Sequence, residues 1–212
     1  MIKSKIEQTF VDVQIFCTDA YVADYTEKVQ QHLKTLNTTK ARKAYRKQPG
    51  LRDGVHIQTI PFDDISYFHL QNTPGISYYV VNFENNKSFF PSGKRDCECL
   101  FRYKGKKGWS LLCELKYNQK EKTIPNNVEE AYEQLKSTWE LCVHKQLFGK
   151  KRCHCYWNIS LPNYSLNVPF SSFLISQSEQ IEWRKKNKIQ LLGFNDVLIV
   201  NEGILQVPPA EV

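Results

Sequence analysis

Three strand-length segments follow one another between residues 76 and 117, and the stretch after them has the period of a helix. That order constrains the fold more than any other feature of the chain. "ISYYVVNFE" (76–84) is dense in β-branched and aromatic residues, while "RDCECLFRY" (95–103) and "WSLLCELKY" (109–117) alternate. The turns "ENNKS" and "KGKKG" separate the three, which predicts an antiparallel meander. Residues 127–147 then place core-facing positions at Val128, Ala131, Leu135, Thr138 or Trp139, Cys142, Val143 and Gln146 or Leu147, close to helical period. "RCHCYWNISLP" (152–162) reads as one more strand.

The flanking segments are read in the same way. "TFVDVQIFC" (9–17) is strand-like, and residues 19–47, almost free of Gly and Pro and opened by Asp19, predict a long helix. "FDDISYFHLQN" (62–72) predicts another helix, "SQSEQIEWRKKN" (176–187) a third, and "IQLLGFNDVLIVN" (189–201) a turn and a final strand. No repeat or linker interrupts the 212 residues. The expectation is a single α/β domain over 1–212, a mixed central β-sheet flanked by helices on both faces. Its core is about 76–162, with a strand and helix extension (1–75) and a C-terminal helix and strand (163–212).

No apolar run approaches the ~18 residues of a membrane span, so no membrane partner is expected. "MIKSKIEQTF" lacks an apolar stretch of signal-peptide length. A cytoplasmic location is the expectation, and the seven cysteines then read as reduced thiols.

The formal net charge of +7 is clustered. From Lys34 to Arg52 there are seven Lys and Arg residues and no acid, including Lys40, Arg42, Lys43, Arg46 and Lys47. Shorter basic runs hold Lys104, Lys106 and Lys107, then Lys150, Lys151 and Arg152, then "RKKNK" at 184–188. Solubility alone accounts for any one of them; a polyanionic partner, nucleic acid with DNA ahead of RNA, accounts for all four. A homodimer is compatible with the same composition.

Period-two alternation puts Asp96, Glu98 and Leu100 on one face of their strand and Cys97, Cys99 and Phe101 on the other. Antiparallel pairing through "KGKKG" then brings Asp96 beside Glu114 and Lys116, at a sheet edge. Two carboxylates and a lysine suit a hard cation and an attacking water.

"RD" at 95–96, and "ELK" at 114–116 followed by a helix, resemble the motif of the PD-(D/E)xK nuclease superfamily, with Arg95 where the family has proline. The resemblance covers roughly 76–162 and implies a restriction-endonuclease-like αβββαβ core. It implies Mg²⁺, or Mn²⁺ in its place, on Asp96, Glu114 and the main-chain carbonyl of Leu115. Lys116 would assist the water, and Gln134 matches the family's further polar residue on the helix. Glu98 is either an auxiliary ligand or a solvated edge residue. The implied activity is metal-dependent hydrolysis of phosphodiester bonds; the alternative is a noncatalytic nucleic-acid-binding or assembly module. Zinc on Cys97, Cys99, Cys153 and Cys155 is a rival site, but C-x-C on a strand differs from the C-x₂-C knuckle. The cysteines, and Tyr117, Tyr132, Trp139 and Trp157, read as core packers.

Overall fold

The computed structural model describes residues 4–93, 96–117, 123–148, 154–164 and 177–208. The meander is present as β5 (Tyr78–Asn82), β6 (Cys99–Tyr103) and β7 (Trp109–Leu115), each antiparallel to the next. Helix α4 (Ile124–His144) follows, with Pro125 in its first turn, where the missing N–H costs nothing. It buries Val128, Ala131, Leu135, Thr138 and Cys142, all expected to face the core, while Val143, expected there too, is exposed. The chain then enters β8 (His154–Ser160), parallel to β7.

β9 (Ile189–Leu192) lies parallel to β8 and β1 (Gln14–Phe16) antiparallel to β5, completing a six-stranded sheet in the order β1-β5-β6-β7-β8-β9. α5 (Gln177–Asn187) leads into β9, and α1 (Lys5–Thr9) precedes β1. α1 is opened by a capping box in which Ser4 and Glu7 satisfy each other's backbone N–H groups.

One face of this sheet is covered differently from expectation. A second sheet packs against it, built from β2 (Ala20–Asp24), β3 (Val55–Gln58), β4 (Phe68–Gln71), β10 (Asp196–Asn201) and β11 (Ile204–Gln206). Its strand order is β11-β10-β4-β2-β3. Phe68, Leu70, Val197 and Ile199 from it share a core with Tyr78, Phe101, Leu111 and Cys113 of the first sheet. On the opposite face Leu100, Leu112 and Trp157 pack with Val128 and Leu135 of α4. The architecture is therefore mixed α/β with two mixed sheets.

Two expected helices give way to this second sheet. Residues 20–24, inside the long helix expected over 19–47, form β2; helix resumes as α2 (Thr26–Thr35) and α3 (Thr39–Arg46). The break between α2 and α3 is fixed by Thr38, whose hydroxyl accepts the Ala41 N–H at 3.1 Å. The helix expected over 62–72 is irregular until Phe68, where β4 begins. Alternating burial of Phe68 and Leu70, both fully enclosed, outweighs local propensity there. The strand expected over 9–17 is the end of α1 plus β1. No helix among the described residues is long and apolar enough to cross a membrane.

Candidate functional site

β7 is not at a sheet edge: it lies between β6 and β8, and all seven of its residues are buried. Glu114, near its C-terminal end, is fully enclosed. The expectation of a displayed carboxylate is thus corrected; packing against α4 on one side of the sheet and the second sheet on the other encloses it. Beyond the strand the chain turns outward, and Lys116 is only partly buried, with Nζ 2.8 Å from Oε1 of Glu114.

Nζ of Lys116 also donates to Oε1 of Gln134 on α4 at 2.7 Å. The Gln134 amide donates in turn to the main-chain carbonyl of Asp96 at 2.9 Å. Glu114, Lys116, Gln134 and the main chain of Asp96 are therefore one connected group. Lys116 meets Glu114 as an ion pair, and neither Glu114 oxygen receives an aligned donor from the described residues. Burial, before any neighbour, pushes this carboxyl up to about 7; Lys116 opposes the shift, and Asp24 and Asp96 add to it.

Asp96 and Glu98 do not sit on the strand. β6 begins at Cys99, and the Glu98 N–H donates to the carbonyl of Cys113, which already stands opposite Cys99. This one-residue slip ends the alternation. Cys97 accordingly packs on the α4 side with Leu100, while Cys99 and Phe101 face the second sheet, so the expected grouping of 97 with 99 and 101 is corrected. The Asp96 carboxylate meets Nζ of Lys87 at 2.8 Å. Glu98 is half-buried rather than solvated. Burial raises its carboxyl well above the ordinary range, and the charges of Glu114 and Asp24 raise it further.

The Leu115 carbonyl follows from the backbone. The Lys116 N–H donates to Ser160 on β8 at 2.9 Å, and in a trans peptide the preceding carbonyl points the opposite way. It is therefore directed to the β6 side, where the Cys97 N–H is taken by the Thr138 hydroxyl at 3.0 Å. Carboxylates and a main-chain carbonyl form an all-oxygen donor set of the kind hard divalent cations prefer. Buried carboxylate oxygens without an aligned donor fit the same cation. No group of three His, Cys, Asp or Glu side chains arranged to hold a metal occurs among the described residues.

Two participants escaped the sequence reading. Asp24 ends β2 on the other sheet; its N–H donates to the Tyr117 hydroxyl at 3.3 Å, and its Oδ1 accepts from Thr26 at the start of α2. Lys87 lies in the short 3-10 turn after β5. Both arrive through tertiary contacts, and no local pattern signals either one. The zinc rival is not assembled: Cys97 and Cys155 lie in one core and Cys99 in the other, and Cys153 lies outside the described residues. Trp157 is buried between Tyr132 and Trp139, at ring separations of 5.8 and 6.0 Å.

The basic residues divide. Lys40, Arg42, Lys43, Arg46 and Lys47 lie on or beside α3, which buries no residue. A groove of about 540 Å³ lined by Tyr45, Gln48, Lys28 and Asp64 adjoins it. Lys28 and Asp64 also line a cleft of about 270 Å³ with Asp24 and Tyr117, so α3 belongs to the Glu114 end of the molecule. Lys104, Lys106 and Lys107 precede β7 and lie at its opposite end. Lys150, Lys151, Arg152 and Arg95 lie outside the described residues. Comparison of the chain with protein-family models, with curated proteins and with solved structures finds no match in any of the three.

Proposed function

We propose that the protein is a metal-dependent nuclease of PD-(D/E)xK type that hydrolyses phosphodiester bonds in nucleic acid, DNA ahead of RNA. The observation that carries this reading is Glu114: fully buried, with no aligned hydrogen-bond donor among the described residues, and 2.8 Å from the Lys116 ammonium. The meander, α4 and the parallel β8 support a restriction-endonuclease-like core. Mg²⁺, or Mn²⁺ in its place, would supply charge neutralisation and polarisation of water and phosphate. Asp96, Glu114 and the Leu115 carbonyl would hold it, with Glu98 an auxiliary acid. Lys116 orients the attacking water, and Gln134 fixes Lys116 against the Asp96 backbone.

Substrate approaches from the α3 side in this reading. Along α4 the open groove is lined by Glu129, Glu130 and Glu133, which repel phosphate. The experiment is purified protein with Mg²⁺ or Mn²⁺ on plasmid, linear duplex, single-stranded DNA and RNA, with Lys116→Ala in parallel. Metal-dependent cleavage abolished in Lys116→Ala supports the reading, and cleavage indifferent to EDTA overturns it.

One observation favours the noncatalytic nucleic-acid-binding or assembly module instead. Asp96 and Glu114 each already lie 2.8 Å from a lysine ammonium, so the acids are charge-compensated by protein alone. Thermal stability separates the two: Mn²⁺ raises the midpoint of a metal-binding wild type and not that of Glu114→Ala.

A further inference from the structure

β7, β8 and β9 are adjacent and parallel, so their starts lie at one end of the sheet. Each is preceded in the chain by a basic run: "KGKKG" at 104–108, "GKKRCH" at 149–154 and "RKKNK" at 184–188. Topology thus brings the hairpin lysines, His154 and the end of α5, far apart in sequence, to one end of the sheet. Trp109, just after the hairpin, stands opposite His154, and Cys155 stands opposite Ile189. The Lys188 carbonyl accepts the Cys155 N–H at 3.2 Å, binding the end of α5 to this corner.

Lys104, Lys106, Lys107, His154, Arg184 and Lys188 are all exposed. None takes part in an ion pair among the described residues. His154, Arg184 and Lys188 line a pocket of about 350 Å³ with Tyr156 and Gln190. No acid among the described residues lines it, and Glu202, beside Gly108 of the hairpin, is engaged by the Tyr103 hydroxyl. Arg184, Lys185 and Lys186 sit in the last turn of α5, where the helix dipole favours cations. The dipole does not account for the three hairpin lysines, which lie on no helix. Like charges brought together at one corner repel one another in proportion as salt leaves them unscreened, and a nucleic-acid backbone relieves this with release of its counterions.

We propose that this end of the six-stranded sheet is a nucleic-acid docking surface separate from the Glu114 site, holding backbone phosphates on Lys104, Lys106, Lys107, His154, Arg184 and Lys188. β7 runs seven residues from Trp109 to Leu115, so roughly 20 Å of strand separates the two ends at ~3.3 Å per residue. The surface holds whether or not the protein cleaves, because it touches none of the residues assigned to hydrolysis.

The test is binding of the full chain to end-labelled duplex DNA in EDTA, over a range of KCl concentrations. Two variants are compared with wild type: Lys104→Glu with Lys106→Glu and Lys107→Glu, and Arg184→Glu with Lys188→Glu. Each is expected to weaken binding about tenfold or more and to flatten the salt slope by ~0.9 for every phosphate left without its cation. Unchanged affinity and slope in both variants overturn the proposal. So does a wild type that ignores DNA and binds phosphatidylserine vesicles, which would make the surface a membrane contact. Where a Glu variant lowers the melting temperature, its Gln counterpart gives the reading. Because the assay needs neither metal nor turnover, its failure leaves the cleavage reading standing, and the reverse also holds.

Discussion

Lys116 touches both halves of the candidate site, Glu114 on its own strand and Gln134 on α4. Its two partners make different predictions. If the protein is the proposed nuclease, Lys116→Ala removes the group assigned to orient the water, and cleavage is expected to fall ~10²–10⁴-fold with circular dichroism unchanged. Gln134→Ala leaves the ammonium but frees it from the Asp96 backbone, so kcat is expected to drop roughly tenfold with KM little altered. Equal kcat in wild type and Gln134→Ala would show that Gln134 does no positioning. A second residue carries a pH signature. His69 is held between Asp19 and Asp196, at 3.0 and 3.1 Å, and stacks on Tyr21. Burial alone would depress its imidazolium, but the hydrogen bonds to Asp196 and Asp19 outweigh it and the net shift is upward. Folded above unfolded means that this contribution is full below the ordinary value of about 6.5 and is lost as pH rises through the folded value. Wild-type stability to urea should therefore decline through that window, and His69→Gln should flatten the decline. Parallel profiles would assign the clamp no role.

At the scale of elements, the turn before β3 and the exposed helix α3 offer opposite cases. Gly54 adopts φ +71°, its carbonyl accepts the Tyr25 N–H at 2.8 Å, and a Cβ there would collide with the Glu84 carboxylate, which bonds the Val55 N–H. Gly54→Ala meets both the left-handed backbone and the clash, so a loss of about 2 kcal/mol, a few degrees in Tm, is expected. A melting temperature equal to wild type would mean that the Glu84 contact yields without cost. α3 is the converse, since no residue of it is buried. Exchanging Lys40, Arg42, Lys43, Arg46 and Lys47 for Gln should leave the fold intact, weaken nucleic-acid binding and flatten its salt dependence. An unchanged slope would assign the helix to solubility. What the sequence made legible follows the same division. α4 announces itself because Val128, Ala131, Leu135, Thr138 and Cys142 repeat at helical spacing along its length, and the meander because its turns are short and its strands consecutive. The second sheet is hidden because its pairings are not local: β4 lies parallel to β10, His69 opposite Asp196. "AYVAD" is too short for its alternation to compete with the helix-like run that follows. Alternation and pairing suggest that Asp96, Glu114 and Lys116 are neighbours, and the resemblance adds Gln134; Lys116 does reach Glu114 and Gln134, but the Asp96 carboxylate turns to Lys87. Asp24, Lys87 and the slip at Glu98 depend on tertiary contacts that no local pattern encodes.

Across the whole molecule the two ends of the sheet carry different charge patterns. The Glu114 end gathers Asp24, Asp96 and Glu98 beside Lys87 and Lys116, with the basic α3 on the same side, and the other end carries the hairpin lysines and the close of α5. Acids placed to hold a cation do not attract phosphate by themselves; a cation-rich surface does so but has no group to activate water. If one nucleic acid occupies both the proposed site and the proposed docking surface, the roughly 20 Å of sheet between them sets a length requirement on it. Duplex DNA rises about 3.4 Å per base pair, so the direct span is at least about six base pairs, and more along the protein surface. Below that length a substrate at the Glu114 site cannot also reach Lys104, Lys106 and Lys107. Cleavage should therefore show a step: kcat/KM for wild type rises once the duplex is long enough to touch both ends, while kcat stays level. The variant with glutamate at positions 104, 106 and 107 should match wild type on the shortest duplexes and fall behind only beyond the step. Measuring kcat/KM against duplex length for the two proteins at fixed salt checks this. A constant ratio at every length would mean that the two ends do not act on one substrate molecule, and the basic end would then serve a separate nucleic acid.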